Sequence, residues 1–341
     1  MDLPAPAWFA ELFPQLLAGR ALPGGLVTEA VRDLVAGRVD DARAAAFLTA
    51  LRMKGEAASE IAAAALVLRE QMVRLVPVSG PVLDTCGTGG DDSGSFNIST
   101  AAALVACAAG VPVVKHGNRA VSSRSGSADV LRELGVPVEA GADWAQKCLD
   151  RVGFAFCYAP HFHRGMAHVS ALRRKLGVRT LFNLLGPLAN PADAPYQLLG
   201  VGKPELLEPL AGALAELGTR QAVLVCSRDG LDEVSLAAPT MVRVVRGKEY
   251  DAREWDPAEF GLGTVPLSAI GADGPAESAA VIRRVLADED IPARRLVLAN
   301  AAAALWAAEA VPTLRDGVDK ASAALAAGTP RALLDALTRP S

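Results

Sequence analysis

Aromatic residues are scarce in this 341-residue chain, at 5% of the whole. Packing must therefore rest on Ala, Leu and Val, and a hydrophobic share of 51% leaves ample material for a core. An excess of positive charge is also missing. The formal net charge is -4, whereas a general binder of nucleic acid shows a basic stripe or a basic total. No C-x-x-C occurs among Cys86, Cys107, Cys148, Cys157 and Cys226, and the count is odd. That excludes a disulfide framework or a zinc ribbon and fits a reducing cytoplasm. Long apolar runs are absent too. The stretch from Ala101 to Val114 is broken by Gly110 and Pro112 and is too short to span a bilayer. The first residues, MDLPAPAWFAELFPQLLAGR, hold acids early and no basic segment leading into an apolar one, so a secretory leader is not expected. These absences together predict a cytoplasmic protein with no membrane and no nucleic acid among its partners.

What is present falls into two parts, as the length allows. Residues 1–75 read as helices. One starts after Thr28 and stops at Gly37; the next is DARAAAFLTALRMK, with Asp40 or Asp41 as its cap and Gly55 as its end; a third is EIAAAALVLREQM, with Ser59 as its cap. Val78-Ser79-Gly80-Pro81 is the linker candidate, so the expected division is a helical domain at 1–76 and an α/β domain at 77–341. Beyond the linker, strands are predicted from Val82, at Val111–Lys115, Val136–Glu139, Phe154–Tyr158, Gln197–Val201, Ala222–Cys226 and Met241–Arg246. Helices are predicted between them at Ser99–Ala109, Val130–Leu134, His168–Leu176, Leu181–Leu185 and Glu205–Leu217, with an Ala-rich helical tail from about Ala276. The alternation means an α/β sheet, whose ligands lie beyond the C-terminal ends of the strands.

The unusual residues gather in those loops. Gly87-Thr88-Gly89-Gly90-Asp91 follows the first strand, and such glycines let backbone N–H groups approach an anion. It lacks the Lys-Ser/Thr of a Walker loop and the spacing of a dinucleotide fingerprint. Asn97, Ser99 and Thr100 open the next helix, where they could cap it or seat a phosphate. Lys115-His116-Gly117-Asn118-Arg119 and Ser122-Ser123 set cations, an amide and hydroxyls behind the second strand. Asp232-Glu233 is an adjacent pair of carboxylates suited to a hard cation or to an exposed acidic turn. The run from Pro160 to Pro191 (PHFHRGMAHVSALRRKLGVRTLFNLLGPLANP) holds three of the four histidines and four arginines. Its histidines, at spacing i, i+2, i+7 with no acid or cysteine between, do not form a metal site.

Taken together, GTGGD, FNIST, KHGNRAVSS, GSAD, RTLFNLLGPLANP and GLDEVS resemble the anthranilate phosphoribosyltransferase family over nearly the whole chain. The resemblance implies an α/β fold shared with the pyrimidine nucleoside phosphorylases: a small helical domain, joined by the helices of about 168–190, and a large α/β domain, with the active cleft between them. It implies transfer of the phosphoribosyl group of phosphoribosyl pyrophosphate (PRPP) to the amine of anthranilate, in tryptophan biosynthesis. By position, Gly87, Thr88, Gly89, Gly90, Asp91, Asn97, Ser99, Thr100, Lys115, Ser122 and Ser123 would hold the donor. Gly87, Asn118, His163, Arg173 and Gly186 would meet anthranilate, a guanidinium matching its carboxylate. Ser99, Asp232 and Glu233 would bind Mg²⁺, two ions in all. No general base is assigned, and His116 and His163 are the histidines to test for proton transfer. A homodimer through the helical domains is implied as well, and any anthranilate synthase partner would be a separate chain.

Three positions depart from the family pattern: Asp92 for a glycine, Arg164 for a proline or small residue, and Ser278 for an asparagine. None removes a residue with an assigned role. A nucleoside phosphorylase of the same fold would use phosphate and has less need of Asp232-Glu233. A nucleic-acid-binding relative would show a basic groove and eroded donor loops.

Overall fold

The computed structural model describes residues 5–76, 80–91, 93–120 and 124–339. Ser122, Ser123, Asp92, Val78, Ser79 and the start of the expected second domain at residue 77 lie outside the described residues.

The chain opens with four helices: α1 (Ala7–Leu17), α2 (Gly24–Val35), α3 (Asp41–Lys54) and α4 (Ala58–Gln71). Then β1 (Leu83–Gly87), α5 (Ile98–Ala108), β2 (Val113–Gly117), α6 (Ser127–Glu133), α7 (Ala142–Val152) and β3 (Phe154–Tyr158) alternate. Three helices follow in a row, α8 (Ala159–Phe162), α9 (Met166–Leu176) and α10 (Phe182–Leu185), before β4 (Tyr196–Gly200), α11 (Leu207–Glu216), β5 (Gln221–Ser227), β6 (Thr240–Arg246) and β7 (Glu249–Trp255). The tail is α12 (Pro275–Leu286), α13 (Pro292–Ala307), α14 (Leu314–Ala326) and α15 (Thr329–Thr338).

The seven strands form one sheet in the order β3-β2-β1-β4-β5-β6-β7. β3 to β5 run parallel, while β6 and β7 are added antiparallel. The chain leaves β1 to one side for β2 and β3 and returns on the other as β4. The crevice where the order reverses is the standard place for a ligand in such a sheet. Side chains alternate across each strand, and β1 to β5 are buried on both faces nearly throughout. On β5, Val223 and Val225 enter one cluster with α5, α6 and α12 to α15, while Ala222, Leu224 and Cys226 enter another with α1 to α4 and α9 to α11. Val169 and Leu172 of α9 and Phe182 of α10 share that second cluster with Phe47 and Leu48 of α3.

The local signals held in part. Asp40 caps α3 by accepting from the Arg43 amide at 3.0 Å. Ser59 does not cap α4; the helix begins one residue earlier, and Glu60 accepts from the Ala57 amide at 2.7 Å instead. Thr28 lies inside α2, whose start is set by Pro23 and Gly24. Val136–Glu139 is a turn, not a strand: Pro137 has no N–H to give a ladder, and both valines simply face the core. β7 was not anticipated because six of its seven residues are exposed and carry no apolar alternation.

Candidate active site

The strand ends at the crevice bring the glycine loop, the second-strand lysine and the acidic pair together. β1 and β4 pair along their whole length, with Gly87 opposite Gly200. Thr88 then extends that ladder, its amide donating to the Gly200 carbonyl at 2.8 Å. Neither glycine has room for a side chain. A Cβ at Gly87 would lie 3.0 Å from Asp232 Oδ2, and one at Gly200 would overlap the Asp232 carbonyl. Asp232 is thereby seated directly against the loop. The Gly89 N–H favours its charged form, and the nearby Asp91 carboxylate opposes it.

Glu233 reaches the start of α5 and accepts from the Ser99 amide at 3.0 Å. Lys115 is 2% exposed, and its Nζ bonds the Thr85 carbonyl and, at 3.3 Å, Ser99 Oγ. Ser99 therefore lies between the lysine and Glu233. Asn97 takes the cap position of α5 without a capping bond of its own. Its Oδ1 accepts from Ser125 Oγ at 2.9 Å and Ser278 Oγ at 3.1 Å. Ser278, one of the departures, is thus buried as a support for Asn97. Thr100 is fully buried and its hydroxyl has no partner among the described residues.

Three acids meet one buried cation here. Burial, and then the Asp91 carboxylate, push Asp232 up to about 7. Burial and Asp232 also raise Glu233, against the opposing pull of Lys115. Lys115 itself is lowered by burial. Asp91 Oδ2 is buried without a hydrogen-bond partner. Among the described residues no three His, Cys, Asp or Glu groups can hold a metal ion by themselves. The cluster instead suits a hard divalent cation that completes its shell with water and ligand phosphates.

At the next residue of β2, pointing to the opposite face from Lys115, a neutral region begins. His116 Nδ1 donates to the Gly186 carbonyl at 2.9 Å and His163 Nε2 to the Ala189 carbonyl at 3.0 Å, with the rings 4.9 Å apart. Carbonyls only accept, so these bonds fix both tautomers. Burial and the neighbouring His163 lower His116 to about 3, and burial lowers His163. His116 Nε2 is left as a buried acceptor with no partner among the described residues. Arg173 ends α9, half-buried, and Asn118 is exposed just past β2. Arg164 is exposed, which keeps its charge out of the site.

The sequence reading passed over the residues that brace this region. Asp84, fully buried in β1, accepts from the His116 amide at 3.3 Å and from Gln197 Nε2 at 3.4 Å. Gln197 also donates to the Pro187 carbonyl at 2.6 Å. Asn190 donates to the Val114 carbonyl at 2.8 Å. Each is a polar residue in an otherwise apolar stretch, and that was the signal available.

Comparison with known proteins gives concordant results. The glycosyl transferase family's a/b domain matches residues 79–331, and that family's helical bundle domain matches residues 10–72. An anthranilate phosphoribosyltransferase of Symbiobacterium thermophilum is 45% identical over 95% of this chain and 95% of its own. The crystal structure of anthranilate phosphoribosyltransferase from Thermus thermophilus superimposes with a TM-score of 0.88 at 44% identity, covering 96% of this chain and 98% of the other. The Saccharomyces cerevisiae enzyme in complex with PRPP and Mg gives 0.87 at 29% identity, covering 98% of each chain.

Proposed function

The chain belongs to the glycosyl transferase family and, within it, to the anthranilate phosphoribosyltransferases, and from that premise we propose how its residues share the work. The protein transfers the 5-phosphoribosyl group of PRPP to the amine of anthranilate, giving N-(5-phosphoribosyl)anthranilate and pyrophosphate in tryptophan biosynthesis.

The observation that carries the division of roles is the uncompensated acidic cluster beside the glycine loop. Asp232 and Glu233, with Ser99 between Glu233 and Lys115, would hold Mg²⁺, and the unpartnered Asp91 oxygen and the raised Asp232 and Glu233 fit a missing positive charge. We assign two ions to this cluster. When bound, Mg²⁺ neutralises the negative charge that grows on the departing pyrophosphate. Gly87, Thr88, Gly89, Gly90 and Asp91 would wrap that group with backbone N–H groups, and Asn97, Ser99, Thr100, Lys115, Ser122 and Ser123 would hold the remaining phosphate oxygens.

Anthranilate would lie against Gly87, Asn118, His163, Arg173 and Gly186, its carboxylate on Arg173. The amine attacks the anomeric carbon while the bond to pyrophosphate breaks, and the acidic proton of the resulting ammonium then passes to water or to the released pyrophosphate. An aromatic amine is uncharged at pH 7, so no strong base is needed. His116 offers a neutral Nε2 as acceptor, which suits positioning of an N–H. Holding both substrates in register supplies much of the rate, since well-oriented reactants gain roughly 7–11 kcal/mol.

The helical layer formed by residues 1–76 and the helices of about 168–190 would move against the remainder, 77–341, to enclose the substrates. Exposed Leu17, Met53 and Leu66 on that layer support a homodimer through it. No described helix is long and apolar enough to cross a membrane. Five free cysteines suit a cytoplasmic setting, and a separate anthranilate synthase is the fitting supplier of anthranilate.

The test is the decay of anthranilate fluorescence on mixing with PRPP and Mg²⁺. Decay that requires all three components and stops with EDTA is expected. A folded protein that leaves the fluorescence unchanged while releasing pyrophosphate with another amine would overturn the acceptor.

A further inference from the structure

The glycine loop is gripped from two sides. On one side, the Gly202 amide donates to Thr88 Oγ1 at 3.0 Å, and a Cβ on Gly202 would stand 2.7 Å from the Gly89 carbonyl. Backbone thus lies on backbone. On the other side, Arg179 Nη2 donates to the Thr88 carbonyl at 2.6 Å. Gly90 has φ +82°, and a Cβ there would overlap Arg179 Nη1. The guanidinium fills the space that a side chain at 90 would need.

Arg179 does not come from the donor half. It follows Gly177, which ends α9 in the left-handed conformation, and it stands in the segment that carries Arg173 and Gly186. Its target is a single planar unit. In a trans peptide the C=O and the next N–H point in opposite directions. Holding the Thr88 carbonyl therefore sets the direction of the Gly89 N–H, a group that favours the charged form of Asp232, which itself lies against Gly87 of the same loop. Arg179 on the acceptor-side segment thus reaches, through one peptide, the loop against which Asp232 is packed. A guanidinium on the carbonyl polarises that peptide and makes its N–H a stronger partner for negative charge.

We propose that Arg179 is a positioning residue for the donor: it orients the Thr88–Gly89 peptide, and with it the glycine loop and Asp232, from the segment that binds the acceptor. This rests on the donor role of the loop proposed above. Gly202 is the opposing jaw, and its lack of a side chain sets how deep the loop can sit.

Arg179→Ala, Arg179→Lys and Gly202→Ala test it, each first checked for folding by circular dichroism. Hydrogen exchange of the segment 87–91 is measured without substrates, then KM for each substrate. With Arg179→Ala, exchange in the loop should quicken, and KM for PRPP should rise about tenfold, as for a lost charged hydrogen bond. KM for anthranilate should stay within about twofold, and Arg179→Lys should recover part of the loss. The double variant with Gly202→Ala should lose less than the product of the single effects, because the loop can shift into the space that Arg179 leaves. Unchanged loop exchange, a fall in kcat alone, or strictly multiplicative losses would overturn the proposal. If Arg179→Ala does not fold, Arg179→Lys and Gly202→Ala are read by the same criteria. If the wild-type protein does not consume PRPP, the donor reading fails, while the exchange data still decide whether Arg179 holds the loop.

Discussion

The two halves of the site, which part at the neighbouring Lys115 and His116 of β2, solve opposite electrostatic problems. On the donor half, Asp232 and Glu233 stand near one buried lysine with Asp91 beside them, and the repulsion among the acids is left standing. On the acceptor half, His116 and His163 are kept neutral, each pinned by a backbone carbonyl, and Asp84 is spent on internal bonds to the His116 amide and Gln197. The contrast follows the ligands. A polyanion with its cations needs charge held ready, and preorganised charge costs stability until it is met. A flat aromatic amine needs a fixed shape with one guanidinium for its carboxylate. Mutations should therefore fail in different ways on the two sides: loss of cation dependence on one, loss of fit on the other.

The sharpest way to break this contrast is to discharge the donor half. Asp232→Ala combined with Glu233→Ala should cut Mg²⁺-dependent turnover by at least ~10³-fold, a loss of several kcal/mol of charge stabilisation. The folded variant should be no less stable than wild type at pH 8 without Mg²⁺, because two poorly compensated buried acids are gone. Thermal melts with and without Mg²⁺ check the second half. Retained activity would place the cation elsewhere. Next in size is Arg173→Ala, expected to raise KM for anthranilate by ~10- to 100-fold through the lost charged pair, with KM for PRPP nearly unchanged. Equal shifts in both constants would remove the distinction between the halves.

How much of this was legible beforehand also differs between the halves. The donor loops announce themselves, because Gly87-Thr88-Gly89-Gly90-Asp91, Lys115 and Asp232-Glu233 are short and chemically unusual, and each lies in the last residues of a strand or in the loop after it. The sheet order did not need to be known to see that they converge. The acceptor half is built from long-range bonds. Nothing in the sequence ties Gln197 to Pro187, Asn190 to Val114 or Arg179 to Thr88, since each pairing exists only after the chain has crossed between layers. The same limit shows in the fold. β5, apolar from Ala222 to Cys226 and buried on both faces, was readable from its pattern. β7, an exposed edge strand paired with β6 and anchored in the core only by Trp255 at its end, was not. Ser278 could be seen as unusual, but its bond to Asn97, 181 residues away, could not.

The smallest expected effect concerns protons, and it separates the halves most finely. His116 sits at about 3 when folded, below the ordinary value of 6.5. Below pH 6.5 the unfolded chain binds a proton that the folded chain refuses, so stability falls as pH drops from about 6.5 towards 3 and is indifferent to this residue above 6.5. Replacing the ring with a neutral group that does not titrate should remove that contribution. Denaturant melts of His116→Gln should therefore fall less steeply than wild type between pH 6.5 and 4.5, whatever the variant's stability at pH 8. Catalysis should behave differently. Because His116 is already neutral throughout the working range, kcat/KM for anthranilate in the wild type should show no inflection near 6.5 from this ring, and His116→Gln should lower it only several-fold, by the same factor at pH 6 and pH 8. A loss confined to one side of an inflection near 6.5 would mean that His116 carries a proton during turnover. The acceptor half would then share the titrating character of the donor half, and the contrast drawn between them would not stand.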